Sequence, residues 1–388
     1  MNWQRHSATR SSTKLDLIAE EIRQRIVKNE YPPGSSLPAR TDLEEYFQVS
    51  RVTIQRALDK LMEDGFIVAK PGSGTYVAEF PPHLCRYGVV FPYRPSEERK
   101  WMPFWSILRD SALSINECKA GPKPRKIAVY YSNRGRRDSL EYLELERDVE
   151  THTLAGLIFV SNPLDLIDTP ALSEDGIPRL AITDAEVPAA IGVRIRLDAQ
   201  SFLDKALDYL ASQGRRKIAL LTEASAGVDN AFCHYFIASA KQRGLETAPC
   251  WMQAVRAADA GWARNLVHLL MQSSQESRPD GLIIAHDGLV EHAKAGIIAA
   301  GMVVPHDVVV VAHCNFPAMA PAVLPIQRLG YDVRQVLRLS IDCIDQMRAK
   351  HKVPAAIKVP AVFEDEVRPP DGELFARASA ASETDGNS

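Results

Sequence analysis

The sequence predicts an α/β protein of two unlike parts. A small N-terminal unit of three helices and a β-hairpin precedes a larger unit of parallel sheets covered by helices. Three observations carry this. Apolar residues recur at helical spacing three times before two short β-like runs within residues 14–78. After Arg86, near-continuous apolar runs alternate with amphipathic stretches, the pattern of strands buried on both faces. The chain has 388 residues, more than the roughly 100–200 of one domain.

The elements follow in order. Residues 1–12 carry Arg5 and Arg10, several Ser and Thr and no acid, and read as a flexible arm. From Lys14, the residues Leu15, Ile18, Ile22, Ile26 and Val27 share one helical stripe, which Tyr31-Pro32-Pro33-Gly34 stops. A short second helix fits Thr41 to Gln48, with Leu43, Tyr46 and Phe47 available to pack. Ser50 is placed to cap a third helix through Glu63, whose buried face is Ile54, Ala57, Leu58 and Leu61. Phe66–Lys70 and Thr75–Ala78, joined by Pro71-Gly72-Ser73-Gly74, read as the hairpin. Pro81-Pro82 begins a stiff linker. Strands are then expected at Tyr87–Phe91, Ile127–Tyr131, Gly156–Val160, Arg179–Ile182, Ile218–Leu221, Gly281–Ala285 and Val308–Ala312. Helices fit Ser201–Ser212, Asn230–Arg243, Trp262–Gln272 and Val290–Ala300. The boundaries are therefore an arm at 1–12, a head at 13–80, a linker at 81–85, a large domain at 86–366 and a polar, disordered tail at 367–388.

Helix, helix, turn, helix and hairpin in that order make a winged helix-turn-helix, and the side chains agree with a DNA-reading role. Arg51 and Gln55 are four apart on one helical face, flanked by Thr53 and Arg56. Arginine pairs with guanine edges through two hydrogen bonds, and glutamine does the same for adenine. Arg40, Thr41, Ser50, Lys70 and the backbone N–H groups near Gly72 and Gly74 are placed to hold phosphates. Arg56 and Lys70 serve equally as solvated surface residues. The run Gly34-x-x-Leu37-Pro38-Ala39, Leu43, Val49-Ser50-Arg51-x-Thr53-Ile54-x-x-Ala57-Leu58-x-x-Leu61-x-x-x-Gly65 and Gly72-x-Gly74-Thr75-Tyr76-Val77 resembles the GntR-type DNA-binding domain. That resemblance implies a homodimer on a pseudo-palindromic double-stranded operator. This chain has Arg40-Thr41 where many members have Glu-Arg, and Gln55 where many have Arg.

The larger part lacks the pattern of an all-helical acyl sensor, a chorismate-lyase-like sensor or an aminotransferase-like domain. Arg86–Pro92, Ala155–Val160, Leu210-x-x-x-Gly214-Arg215-Arg216-Lys217-Ile218-Ala219, Asp280–Asp287 and Gly301-x-x-Val304-Pro305-x-Asp307-Val308 instead resemble the LacI-type effector domain. The resemblance implies a two-lobed periplasmic-binding-protein-like domain with parallel sheets, as in arabinose-responsive repressors. It also implies a small-molecule effector, a sugar or sugar derivative, bound where strand ends meet a cleft. Candidate contacts are Tyr93, Asn162, Asp184, Glu223, His286 and Asn315 at strand ends, with Trp101, Phe104 and Trp105 as an aromatic wall. Phe104 and Trp105 serve equally as lobe-packing residues, His286 as a structural histidine and Asp287 as a helix cap. Cys233 and Cys314 fall where the family often has an arginine and an acid. They motivate a competing reading, in which the cleft answers to another metabolite or to a protein partner.

Composition sets limits. Hydrophobic residues make up 46% and charged residues 24%, an ordinary globular balance, and the formal net charge of -3 decides nothing about nucleic acid. Cys85, Cys118, Cys233, Cys250, Cys314 and Cys343 form no CxxC pair, so reduced thiols and no metal site are expected. The first fifteen residues are polar and basic, and no apolar run approaches the ~18 residues of a membrane span. A cytoplasmic protein with no membrane partner is the expectation. HExxH, GxSxG and GxxxxGK[ST] do not occur, so neither an enzyme nor a cofactor is expected.

Overall fold

In the head, α1 (Lys14–Val27), α2 (Arg40–Phe47) and α3 (Arg51–Glu63) surround one small core, and the wing pairs β1 (Ile67–Lys70) with β2 (Gly74–Val77). The computed structural model that shows this describes residues 13–96, 102–117, 124–224, 231–275, 277–317 and 323–367. The expected arm, Trp101 and the tail beyond Val367 lie outside the described residues.

Each head element has a local cause. Thr13 and Asp16 form a reciprocal capping box at the start of α1. Ile18, Ile22 and Ile26 are buried against Leu43, Ile54, Leu58 and Leu61, while Leu15 and Val27 are only partly buried beside them. Gln48 ends α2 in the left-handed conformation (φ 49°), turning the chain sharply into α3. Tyr46 stays 61% exposed rather than packing, with the Arg25 guanidinium 4.8 Å over its ring. The hairpin register runs from Ile67 opposite Val77 to Lys70 opposite Gly74. Its turn needs a positive φ at Gly72 (72°).

The stiff linker expected from Pro81-Pro82 contains a helical turn. Proline pre-sets the first turn of a helix, and Pro82–Cys85 forms a one-turn helix, α4. His83 stacks on Phe66 of the head with centroids 5.8 Å apart and planes 5° apart.

The large domain contains, in order, β3 (Arg86–Phe91), α5 (Pro103–Glu117), β4 (Lys126–Tyr131), α6 (Leu140–Glu150), β5 (Gly156–Phe159), α7 (Pro170–Ser173), β6 (Arg179–Ile182) and β7 (Val193–Asp198). Then follow α8 (Ala199–Ser212), β8 (Ile218–Glu223), α9 (Ala231–Gln242), β9 (Met252–Val255), α10 (Trp262–Met271), β10 (Gly281–Ile284), α11 (Asp287–Ala299) and β11 (Val309–Phe316). The chain closes with β12 (Gln327–Asp332), α12 (Val333–Arg348), β13 (Ala356–Pro360) and β14 (Val362–Phe363). Two six-stranded sheets result, in the orders β13-β7-β6-β5-β3-β4 and β14-β12-β11-β10-β8-β9. Their pairs are parallel except β12 with β14. Each sheet is the centre of one lobe, covered on both faces by helices with apolar cores.

The expected strands are all present, but β7, β9, β12, β13 and β14 are additional. β9, β13 and β14 lie at or next to the sheet edges and carry few buried residues, so they lack the continuous apolar run of a central strand. In β7, Arg194 and Arg196 alternate with buried Val193 and Ile195. β11 continues to Phe316, past the expected end at Ala312. The chain crosses between lobes three times, after Asp198, after Asp332 and after Pro360. Asp198 and Asp332 cap the helices they lead into, and Ser201 Oγ accepts the Ala361 N–H at 2.8 Å, tying the third crossing to the first.

Candidate DNA-reading surface and interlobe cleft

On α3, Ile54, Ala57, Leu58 and Leu61 are buried, which turns Arg51, Val52 and Arg56 outward. Among the described residues neither Arg51 nor Arg56 has an ion-pair partner. Ser50 Oγ accepts the Thr53 N–H at 3.4 Å and lies 3.0 Å from Thr53 Oγ1, so both hydroxyls are engaged in the cap. Gln55 donates from Nε2 to Asp59 Oδ1 at 2.6 Å, which fixes its amide one turn into the helix. Arg40 and Thr41 are exposed at the start of α2. In the wing, the exposed Lys70 ammonium lies 4.4 Å from the centre of the Tyr76 ring, and the exposed Gly72 and Gly74 present backbone. The ten expected DNA-facing residues thus fall on the first turn of α2, the N-terminal half of α3 with its cap, and the wing.

Between the lobes, α5 faces α11 and β11 across a cleft of about 560 Å³. Pro103, Ser106 and Ile107 come from one lobe; Asp287, Glu291, Lys294, His313, Cys314 and Asn315 come from the other. Asn315 is buried and donates from Nδ2 to Asp287 Oδ2 at 2.6 Å, while its Oδ1 has no partner. The His313 ring lies between Phe202 and Tyr331, with centroids 5.5 and 5.7 Å away, and its Nδ1 is likewise buried without a partner. Burial pushes the His313 pKa down to about 4, so the ring is neutral at pH 7. Burial also pushes the Cys314 thiol up to about 11, which keeps it protonated and unreactive. Lys294 is only 4% exposed and pairs with Glu291 at 2.7 Å; Arg328, also on the wall, pairs with Glu364 at 3.1 Å. A Cβ at Gly330 would come within 1.7 Å of the Cys314 carbonyl oxygen, so glycine there lets β12 lie close beneath the cleft.

The other expected effector contacts are placed differently. Tyr93 and Phe104 are buried in the first lobe's core, with Trp105 6.2 Å from Tyr93, because α5 turns that face inward. They do not wall the cleft; Pro103, Ser106 and Ile107 on the neighbouring face do. His286 is the N-cap of α11, its Nδ1 accepting the Gly288 N–H at 3.1 Å. Asn162 donates to the Glu186 carbonyl. Asp184 pairs with Arg196 at 2.8 Å, and Glu223 ends β8 half-buried. Of the nine expected residues, eight are among the described residues, and of these Asn315 lines the cleft. Asp287, read as a possible cap, lines it too. Lys294, His313 and Arg328 carried no signal in the sequence, because they lie on three successive elements, α11, β11 and β12, and meet at the cleft only once β11 and β12 pair beside α11. Among the described residues, no His, Cys, Asp or Glu group is arranged to hold a metal ion, and no helix is long and apolar enough to cross a membrane.

Comparison with known proteins agrees with this geometry. The model of bacterial regulatory proteins of the gntR family matches residues 15–77, and that of the periplasmic binding protein-like domain matches residues 207–364. The arabinose metabolism transcriptional repressor of Geobacillus stearothermophilus is 23% identical over 320 residues, 77% of this chain and 81% of that protein. The mannosyl-D-glycerate transport/metabolism system repressor MngR of Escherichia coli K12 is 45% identical over 62 residues. Those residues are 16% of this chain and 26% of MngR, so that likeness is confined to about a quarter of the relative. Among solved structures, a LacI family regulator from Arthrobacter sp. FB24 in complex with lactose aligns with a TM-score of 0.54 at 16% identity, covering 72% of this chain and 97% of that one. A LacI regulator from a Rhodococcus species gives a TM-score of 0.53 at 17% identity, covering 72% and 96%.

A winged helix-turn-helix joined to a two-lobed cleft domain defines a DNA-binding transcription regulator. More particularly, this chain joins a head that matches the gntR family to a periplasmic binding protein-like domain, and it is similar along most of its length to the arabinose metabolism transcriptional repressor.

Proposed function

We propose that the protein is a repressor that holds a pseudo-palindromic operator as a homodimer and is released when a sugar or sugar derivative enters the interlobe cleft. The observation that carries the effector half is the pair of buried polar atoms on the cleft wall, Asn315 Oδ1 and His313 Nδ1, that lack a protein partner. A buried acceptor without a partner costs about 1–3 kcal/mol, and a polyhydroxylated ligand offers hydroxyls to relieve it. Arg51, Gln55 and Arg56 supply the base contacts; Arg40, Thr41, Ser50, Thr53, Lys70 and the wing glycines supply backbone contacts. The relatives named as repressors support the sign of control.

The test is a thermal melt of the whole protein against monosaccharides, disaccharides, sugar acids and polyols. A ligand at ~100 times its dissociation constant adds ~2.7 kcal/mol to the folded state. A hit that also releases the protein from its operator supports the proposal. Intact specific DNA binding with no shift from any of these compounds overturns the sugar assignment and leaves the DNA-binding half standing.

A further inference from the structure

We propose that Val52 is a specificity-determining residue, packing its isopropyl group against the 5-methyl group of a thymine in the major groove of each half-site. The proposal rests on α3 being the recognition helix.

The placement of Val52 is the first observation. At about 100° per residue, Val52 projects about 170° away from the mean direction of Ile54, Ala57, Leu58 and Leu61. It therefore points out more directly than Arg51 or Gln55, which flank it on one side; Arg56 flanks it on the other. It is 60% exposed and takes no part in the head's core. Scattered exposed apolar residues are ordinary. This one stands on the first turn of α3, where helix-turn-helix proteins meet base edges, and every neighbour on its stripe is polar.

Chemistry selects the partner. Thymine is the one base that presents a methyl group in the major groove. Valine is β-branched and stiff at χ1, so it loses little freedom when fixed there. Gln55, one turn on, already donates one Nε2 hydrogen to Asp59. Its second N–H and its Oε1 remain to match N7 and N6 of an adenine. Val52 and Gln55 together suit adjacent A·T pairs, with Asp59 positioning the amide.

The experiment uses the full chain. Bound duplexes are enriched from a random pool, and each thymine of the recovered site is replaced singly by deoxyuridine, which removes only the methyl. Affinity is measured at fixed salt for the wild type and for Val52→Ala. The expected result is one thymine per half-site at which deoxyuridine weakens the wild type about fourfold, the effect of about one buried methyl. Val52→Ala binds the thymine and deoxyuridine forms of that site equally, at the weaker level. Insensitivity to deoxyuridine at every thymine overturns the proposal, as does a sensitivity that Val52→Ala retains. The deoxyuridine series needs no variant, so misfolding of Val52→Ala would not mask the outcome. A pool that enriches no sequence would overturn the DNA-reading assignment itself, and the Val52 proposal with it.

Discussion

Arg51 and Arg56 project from α3 with no carboxylate partner among the described residues, so their charge is available to an outside partner. Removing the Arg51 side chain is expected to weaken specific binding by about 1–3 kcal/mol, roughly 5- to 150-fold, with a smaller loss on scrambled duplex. Lys70→Ala is expected to weaken both duplexes alike and to lower the salt slope by about one ion; fluorescence anisotropy over a salt series separates the two behaviours. In the cleft, Asn315→Leu removes the orphaned acceptor together with the bond to Asp287. Removing one partner of a buried hydrogen bond leaves the other unpaired at about 1–3 kcal/mol, here the Asp287 carboxylate, so the apo melting temperature should fall while any ligand-induced shift disappears. A shift that survives would take Asn315 out of the site. The outward placement of Arg51 on α3 was legible because motif and helical face coincide there. The cleft was not, because Lys294, His313 and Arg328 become neighbours only through the second lobe's sheet, and because helical phase, invisible in a strand-end argument, turns Phe104 inward.

At the level of elements, α4 is the piece that joins head to sensor. His83 is largely buried against Phe66, its Nδ1 has no partner, and burial lowers its pKa to about 4. The unfolded chain, at about 6.5, takes up a proton first. Stability from this group is therefore complete above about pH 6.5, falls as the pH drops, and is lost by about pH 4. The whole effect is at most about 3 kcal/mol. Urea unfolding at pH 7, 5.5 and 4.5 should show a larger loss in the wild type than in His83→Phe, which keeps a ring on Phe66 without a titrating group, so the variant gains relative to the wild type as the pH falls. On α3, Ser50→Ala is expected to cost about 1 kcal/mol through loss of the cap, and Ser50→Asp to restore most of it. Central strands and capped helices were readable because burial on both faces and capping side chains are written locally. The linker helix and the edge strands were not: α4 is held by contacts with Phe66 and with Arg348, whose Nη1 donates to the Leu84 carbonyl at 3.1 Å.

Across the whole molecule, one head offers one α3 to one half-site. A homodimer on half-sites about one helical turn apart, 10–10.5 base pairs, is the arrangement such heads use. Sedimentation at micromolar concentration should give a dimer, and inserting about five base pairs between the half-sites should abolish tight binding by placing them on opposite faces of the duplex. A monomer that binds a single half-site at full affinity would overturn this. Two parallel sheets with helices on both faces were legible from the rhythm of apolar runs, whereas the pairing of β13 with β7, more than a hundred residues apart, is a tertiary fact with no local trace.

The three crossings between lobes mean that neither lobe is a continuous stretch of gene. The first lobe is completed by α12 and β13, which the chain delivers only after the second lobe's sheet has been threaded through β12. A nonsense mutation near Asp332 would thus strip buried Val336, Leu337, Ile341 and Ile344 from a lobe that was almost entirely translated. Proteolytic nicking at the linker can free the head, but no single cut can free a lobe. The sensor domain should consequently melt in one cooperative step, and half-genes encoding either lobe should yield insoluble protein.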